Sequence, residues 1–166
     1  MTICDEAIMV ELGRMQVVRR RPVVLTCVGL GSSIALCAYD PIPQVAGMAH
    51  FVLPGNGNAE RFARSAKYVD TGVPLLVQEM IKQGAMRSRL LIKIAGGAQM
   101  LSVPGLDGRL NVGQRNIDAI KAALARERLP INAADLGGRY GRTVQLFTST
   151  GTVVVKTVRK QGVELQ

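Results

Sequence analysis

The chain has 166 residues, 48% of them hydrophobic, and a formal net charge of +9 at pH 7. That length and apolar content fit one compact domain over residues 1–166, with enough material for a buried core and none left for a second. They exclude a disordered chain, which needs low hydrophobicity and long polar tracts.

The N-terminus carries Asp5 and Glu6 where a secretory leader would be basic, so the expected location is cytoplasmic. Residues 22–39 are uncharged and approach the length of a membrane helix. Gly29, Gly31, Ser32 and Ser33 at their centre fit a turn between two buried strands instead, and no membrane insertion is expected.

Residues 23–28 read as a buried strand, Gly29-Leu30-Gly31-Ser32-Ser33 as a turn, and residues 34–39 as a second strand closed by Asp40-Pro41. A third strand, residues 45–53, contains the only histidine, His50, and ends at Pro54 and the Gly/Asn stretch that follows. From about 66 to 83, Val73, Leu76, Val77, Met80 and Ile81 recur at helical spacing. Gly84 stops that run, and Pro74 is tolerable only near its first turn. Residues 90–95 form a strand leading into Gly96-Gly97, and residues 112–126 a second helix striped by Ile117, Ile120 and Leu124. Residues 143–148 and 152–158 alternate as a terminal hairpin around Ser149-Thr150-Gly151. The order predicts an α/β or α+β layered domain, a mixed β-sheet core covered by two or three helices.

Cys4, Cys27 and Cys37 are odd in number and form no CxxC pair, which argues against a disulfide framework or structural zinc. They read as buried reduced thiols. The positive charge would steer an acidic partner. Nucleic acid is not expected: Arg19-Arg20-Arg21 is the only tight basic run, and three Tyr, three Phe and no Trp form no stacking motif.

Gly29-Leu30-Gly31-Ser32-Ser33-Ile34 contains GxG but lacks the third glycine of a dinucleotide fingerprint and the lysine of a P-loop. What remains is a sharp bend that serves as a structural turn, or as an active site whose free backbone amides face a developing oxyanion. His50 alone reads as a satisfied core or surface histidine. Shortly after a Ser-Ser turn, it is also placed to activate a hydroxyl or thiol for acyl transfer.

These blocks resemble the CheD family, whose GLGSC turn is followed seventeen residues later by the histidine of a GMAH-type strand. Ser33 and His50 are seventeen apart, and Gly47-Met48-Ala49-His50 matches the strand. The likeness continues through Lys67-Tyr68-Val69-Asp70-Thr71, Lys93-Ile94-Ala95-Gly96-Gly97-Ala98-Gln99-Met100, Asn111-Val112-Gly113-Gln114-Arg115-Asn116 and Asp135-Leu136-Gly137-Gly138. The resemblance implies a cofactor-free amidohydrolase that converts chemoreceptor glutamines to glutamates, using Cys, His and a Thr six residues before the Cys. Carried over, the nucleophile falls on Ser33, the histidine on His50 and the threonine on Cys27.

Two of those three positions depart from the family pattern, and a serine hydroxyl is a poorer nucleophile than a thiolate in such a site. The chain then reads as a deamidase with a weak, His-assisted serine, as a silenced form, or as a module that binds receptor cytoplasmic domains or a CheC-type phosphatase without turnover. A further alternative makes Cys27 the nucleophile, which requires its sulfur to face the imidazole.

Overall fold

The computed structural model describes residues 5–55, 65–101, 104–105 and 111–166. Cys4 and residues 56–58 of the Gly/Asn stretch lie outside them. The strands are β1 (Glu6–Met9), β2 (Met15–Arg19), β3 (Val23–Leu30), β4 (Ile34–Asp40), β5 (Val45–Phe51), β6 (Leu91–Gly96), β7 (Ala133–Leu136), β8 (Arg142–Phe147), β9 (Thr152–Lys156) and β10 (Val163–Glu164). Helix α1 (Val69–Lys82) follows β5, and α2 (Val112–Arg126) follows β6.

The strands form two five-stranded mixed sheets, ordered β1-β3-β8-β9-β10 and β2-β5-β4-β6-β7. Every residue of β4 and β5 is buried, because their sheet is covered on both faces and consecutive side chains point to opposite sides. Ile34, Leu36, Ala49, Phe51, Ile92 and Ile94 pack with Val73, Leu76 and Met80 of α1 and with Ile117, Ile120 and Leu124 of α2. Ala35, Cys37, Tyr39, Ala46 and Met48 pack instead with Leu25, Cys27, Val144, Leu146 and Val153 of the other sheet. The layers are therefore helices, sheet, sheet. The expected helices cover one face of the central sheet, and a second sheet covers the other.

Helix α1 begins at Val69, three residues later than the pattern suggested, which places Pro74 sixth. The missing Pro74 N–H removes the intrahelical bond to residue 70. The Asn111 side chain caps α2 by accepting from the Gln114 amide at 2.9 Å. The expected hairpin is β8 and β9, paired antiparallel, but it is not terminal, since β10 adds to its outer edge. Arg19-Arg20-Arg21 turns the chain from β2 to β3, with Arg20 at φ +49° and Arg21 bridged to Glu6. Among the described residues no helix is long and apolar enough to cross a membrane.

At the end of β4, the buried Asp40 carboxylate accepts from Arg89 Nη2 at 2.8 Å and Nε at 2.9 Å, and from the Met86 amide at 2.7 Å. Burial pushes its pKa up, but the Arg89 bonds and the Met86 and Ile42 amides outweigh that and hold it below the ordinary 3.8.

Candidate active site

Strands β3 and β4 lie in different sheets, so Gly31, Ser32 and Ser33 must carry the chain from one layer to the other. Strand β3 runs further than the sequence suggested, to Leu30, through an irregularity between Cys27 and Leu30. Val28 and Gly29 are exposed there, Gly29 has φ +70°, and Leu30 returns fully to the core. An extra residue of this kind restores the inward register just before the corner.

All three carbonyls of the corner are tied to the body of the protein. Gly31 O accepts from the Ala98 amide at 2.8 Å, and Ser33 O from the Gly97 amide at 2.9 Å. Ser32 O accepts from Asn116 Nδ2 at 2.8 Å. Gly96 makes the approach possible: a Cβ there would fall 2.2 Å from Ser33 O, and its φ of +123° suits glycine alone. Among the described residues, the amides of Gly31, Ser32 and Ser33 donate to no backbone or side-chain acceptor. In a trans peptide the C=O and the following N–H point in opposite directions. Carbonyls held inward therefore leave the Ser32 and Ser33 amides aimed away from the body. A cavity of about 180 Å³ opens beside the corner, lined by Ser32, Ala98, Met100, Asn111 and Gly113 among others.

Strand β5 presents His50 on the face turned to the other sheet, in register with Ala35. His50 Nε2 lies 2.9 Å from Ser33 Oγ, and Nδ1 lies 3.2 Å from the carbonyl oxygen of Val10. A carbonyl only accepts, so Nδ1 carries the hydrogen and Nε2 offers its lone pair to the Ser33 hydroxyl. Both side chains are buried, Ser33 5% and His50 2% exposed. Burial lowers the His50 pKa from 6.5 and the Val10 carbonyl works against that drop. The imidazole is consequently neutral at neutral pH, the form a general base requires.

Cys27 is not brought to this pair. Its Sγ meets Met48 Sδ at 3.4 Å within the core between the sheets. Burial pushes its thiol up to about 12, so it stays protonated and unreactive. Cys37 shares that core, and burial raises its pKa as well.

Two contributors escaped sequence reasoning. The Val10 carbonyl orients His50, and a main-chain acceptor leaves no mark on the residue type. Asn116 was visible only as part of a motif, yet it sits at helical spacing from Gly113 and Ile120 on the apolar face of α2, and a polar residue on such a face is a signal in itself.

A sequence profile described as CheD chemotactic sensory transduction matches residues 52–157. The chain belongs to the CheD family. It is 46% identical over 157 residues to the probable chemoreceptor glutamine deamidase CheD of Symbiobacterium thermophilum, covering 94% of this chain and 95% of that relative. The like-named protein of Caldanaerobacter subterraneus subsp. tengcongensis is 42% identical over 141 residues, covering 85% and 87%. That of Geobacillus kaustophilus is 38% identical over 162 residues, covering 96% and 98%. The CheD profile begins two residues beyond His50 and takes in Gly97, Ala98 and Asn116, the groups that hold the corner from behind.

Proposed function

We propose that this CheD-family chain is a chemotaxis protein that hydrolyses glutamine side-chain amides of chemoreceptor cytoplasmic domains, giving glutamate and ammonia. The observation that carries the reading is the Ser33–His50 contact of 2.9 Å, with the far imidazole nitrogen held by Val10. The similarity to proteins named chemoreceptor glutamine deamidases supports it. So does the net charge of +9, which steers acidic partners toward the protein. Such a substrate places the chain in the cytoplasm.

The Ser33 hydroxyl attacks the amide carbon and passes its proton to His50 Nε2. Negative charge develops on the amide oxygen, where the outward Ser32 and Ser33 amides stabilise it. The imidazolium, held through Nδ1–H by Val10, gives its proton to the departing ammonia. Water then enters, His50 takes its proton, and the ester on Ser33 is cleaved to glutamate. A hydroxyl is harder to deprotonate than a thiol, so each turnover is slower than with cysteine in this position. That same substitution favours a second reading, in which the cleft holds a receptor or a CheC-type phosphatase without turnover.

The test is mass analysis of a receptor cytoplasmic fragment after incubation with this chain and with Ser33→Cys. Conversion by both supports the serine enzyme. Conversion by Ser33→Cys alone supports the binding reading, and conversion by neither overturns the deamidase assignment for that receptor.

A further inference from the structure

We propose that Asn116 is a positioning residue that aims the oxyanion-binding amide of the nucleophile. The inference rests on the reading of Ser33 as nucleophile and extends it to a side chain on a different layer of the protein. Asn116 is fully buried, and its two Nδ2 hydrogens go to Ser32 O at 2.8 Å and Val52 O at 3.0 Å. Among the described residues neither carbonyl has a backbone donor, and Asn116 Oδ1 has no partner. The reverse orientation of the amide would set its oxygen against two carbonyls, so the hydrogen-bond pattern fixes which end faces the corner. What the site holds on to is the pair of donors; the acceptor is left unused.

The Ser32 carbonyl and the Ser33 N–H belong to one planar peptide. By gripping the carbonyl, Asn116 sets the direction of the N–H, which lies beside the atom that Ser33 Oγ would attack. The second bond reaches Val52, two residues beyond His50. One carboxamide thus joins the nucleophile turn to the end of the strand that carries the base. Gly97 and Ala98 hold the neighbouring carbonyls with their main-chain amides. Asn116 is the one side chain among these three restraints.

The experiment uses the Ser33→Cys protein and two reagents that need no receptor. p-Nitrophenyl acetate transfers its acetyl group to the thiol through a tetrahedral oxyanion and releases p-nitrophenolate. Iodoacetamide alkylates the same thiol by displacing iodide, with no oxyanion. Asn116→Leu keeps the size of the side chain, adds no charge and removes both donors. Acylation is expected to slow by on the order of 10²-fold, whereas alkylation changes less than about 3-fold and keeps its pH profile, since the thiol–imidazole couple persists. Asn116→Ala is the second variant, should the leucine fail to fold, and is expected to shift the ratio the same way. Equal slowing of both reactions, or no change in acylation, overturns the proposal. Deamidation of a receptor fragment by the Ser33→Cys parent is followed in parallel. Its absence would refute the deamidase reading, while the ratio of the two reagents would still judge Asn116.

Discussion

Gly113→Ala should lower stability, although helix propensity predicts the opposite. Gly113 is the second residue of α2, where alanine would ordinarily gain up to about 1 kcal/mol over glycine. Its added Cβ, however, would lie 2.4 Å from Ala98 O and 2.6 Å from Gly97 O. Both are main-chain atoms of the loop that braces the Gly31–Ser33 corner, so the helix must retreat by roughly 1 Å to reach ordinary van der Waals contact. Overpacking against rigid backbone costs up to about 3 kcal/mol. The net loss is then about 2 kcal/mol, or a fall in Tm of roughly 4–8 °C for a chain of this size. The same retreat would stretch the 2.8 Å bond from Asn116 to Ser32 past hydrogen-bond range. Calorimetry gives Tm, and the ratio of acylation to alkylation in the Ser33→Cys background gives the site. A Tm equal to or above that of the unsubstituted chain, with the ratio unchanged, would refute the close-packing argument.

Cys27→Ala is expected to leave any glutamine conversion unchanged, and native Cys27 to resist iodoacetamide, because its sulfur faces Met48 and its thiol titrates at about 12. A loss of conversion would bring this thiol back into the mechanism. Asp40→Ala strips acceptors from Arg89 and from the Met86 and Ile42 amides and should cost about 1–3 kcal/mol in urea unfolding. The folded pKa of Asp40 lies below 3.8. Its contribution is therefore complete above the unfolded value and is lost as pH falls through the folded one, so the difference between the two proteins should narrow in that window. A gap that stays constant to about pH 2 would contradict the sign of the shift.

Residues 112–126 were legible as a helix to the residue from the Ile117-Ile120-Leu124 stripe, and the structure adds the Asn111 cap that starts it. The apolar strands β3 to β6 were plain as strands, with ends that differ from the expected ones by one or two residues. Strands β1, β2, β7 and β10 were not: each has two to five residues, and most of their side chains are exposed or half-buried, which leaves little pattern to read. An unbroken apolar run such as β4 says that both faces are covered without saying by what, so one sheet was expected where two exist. The position of His50 on a strand shortly after the Ser-Ser turn already allowed it to meet a hydroxyl, and the family resemblance singled out Ser33 as the partner. The physical cause is that β4 and β5 pair with Ile34 opposite Phe51 and Ala35 opposite His50, which returns the imidazole to the start of β4.

The acceptor that fixes the His50 tautomer sits just after β1, an edge strand of four residues paired only with β3. Edge segments with few contacts open at low free-energy cost while the rest of a fold persists. If β1 frays, Nδ1 loses the partner that obliges it to hold the proton, and the imidazole is free to carry that proton on Nε2. Ser33 would then face a donor where it needs a lone pair. The helix-covered core would remain packed, while the core between the sheets would lose Val10 and the Ile8 side chain that packs against it. The proposed chemistry would then be less durable than the rest of the fold, because it leans on the edge segment from Glu6 to Val10.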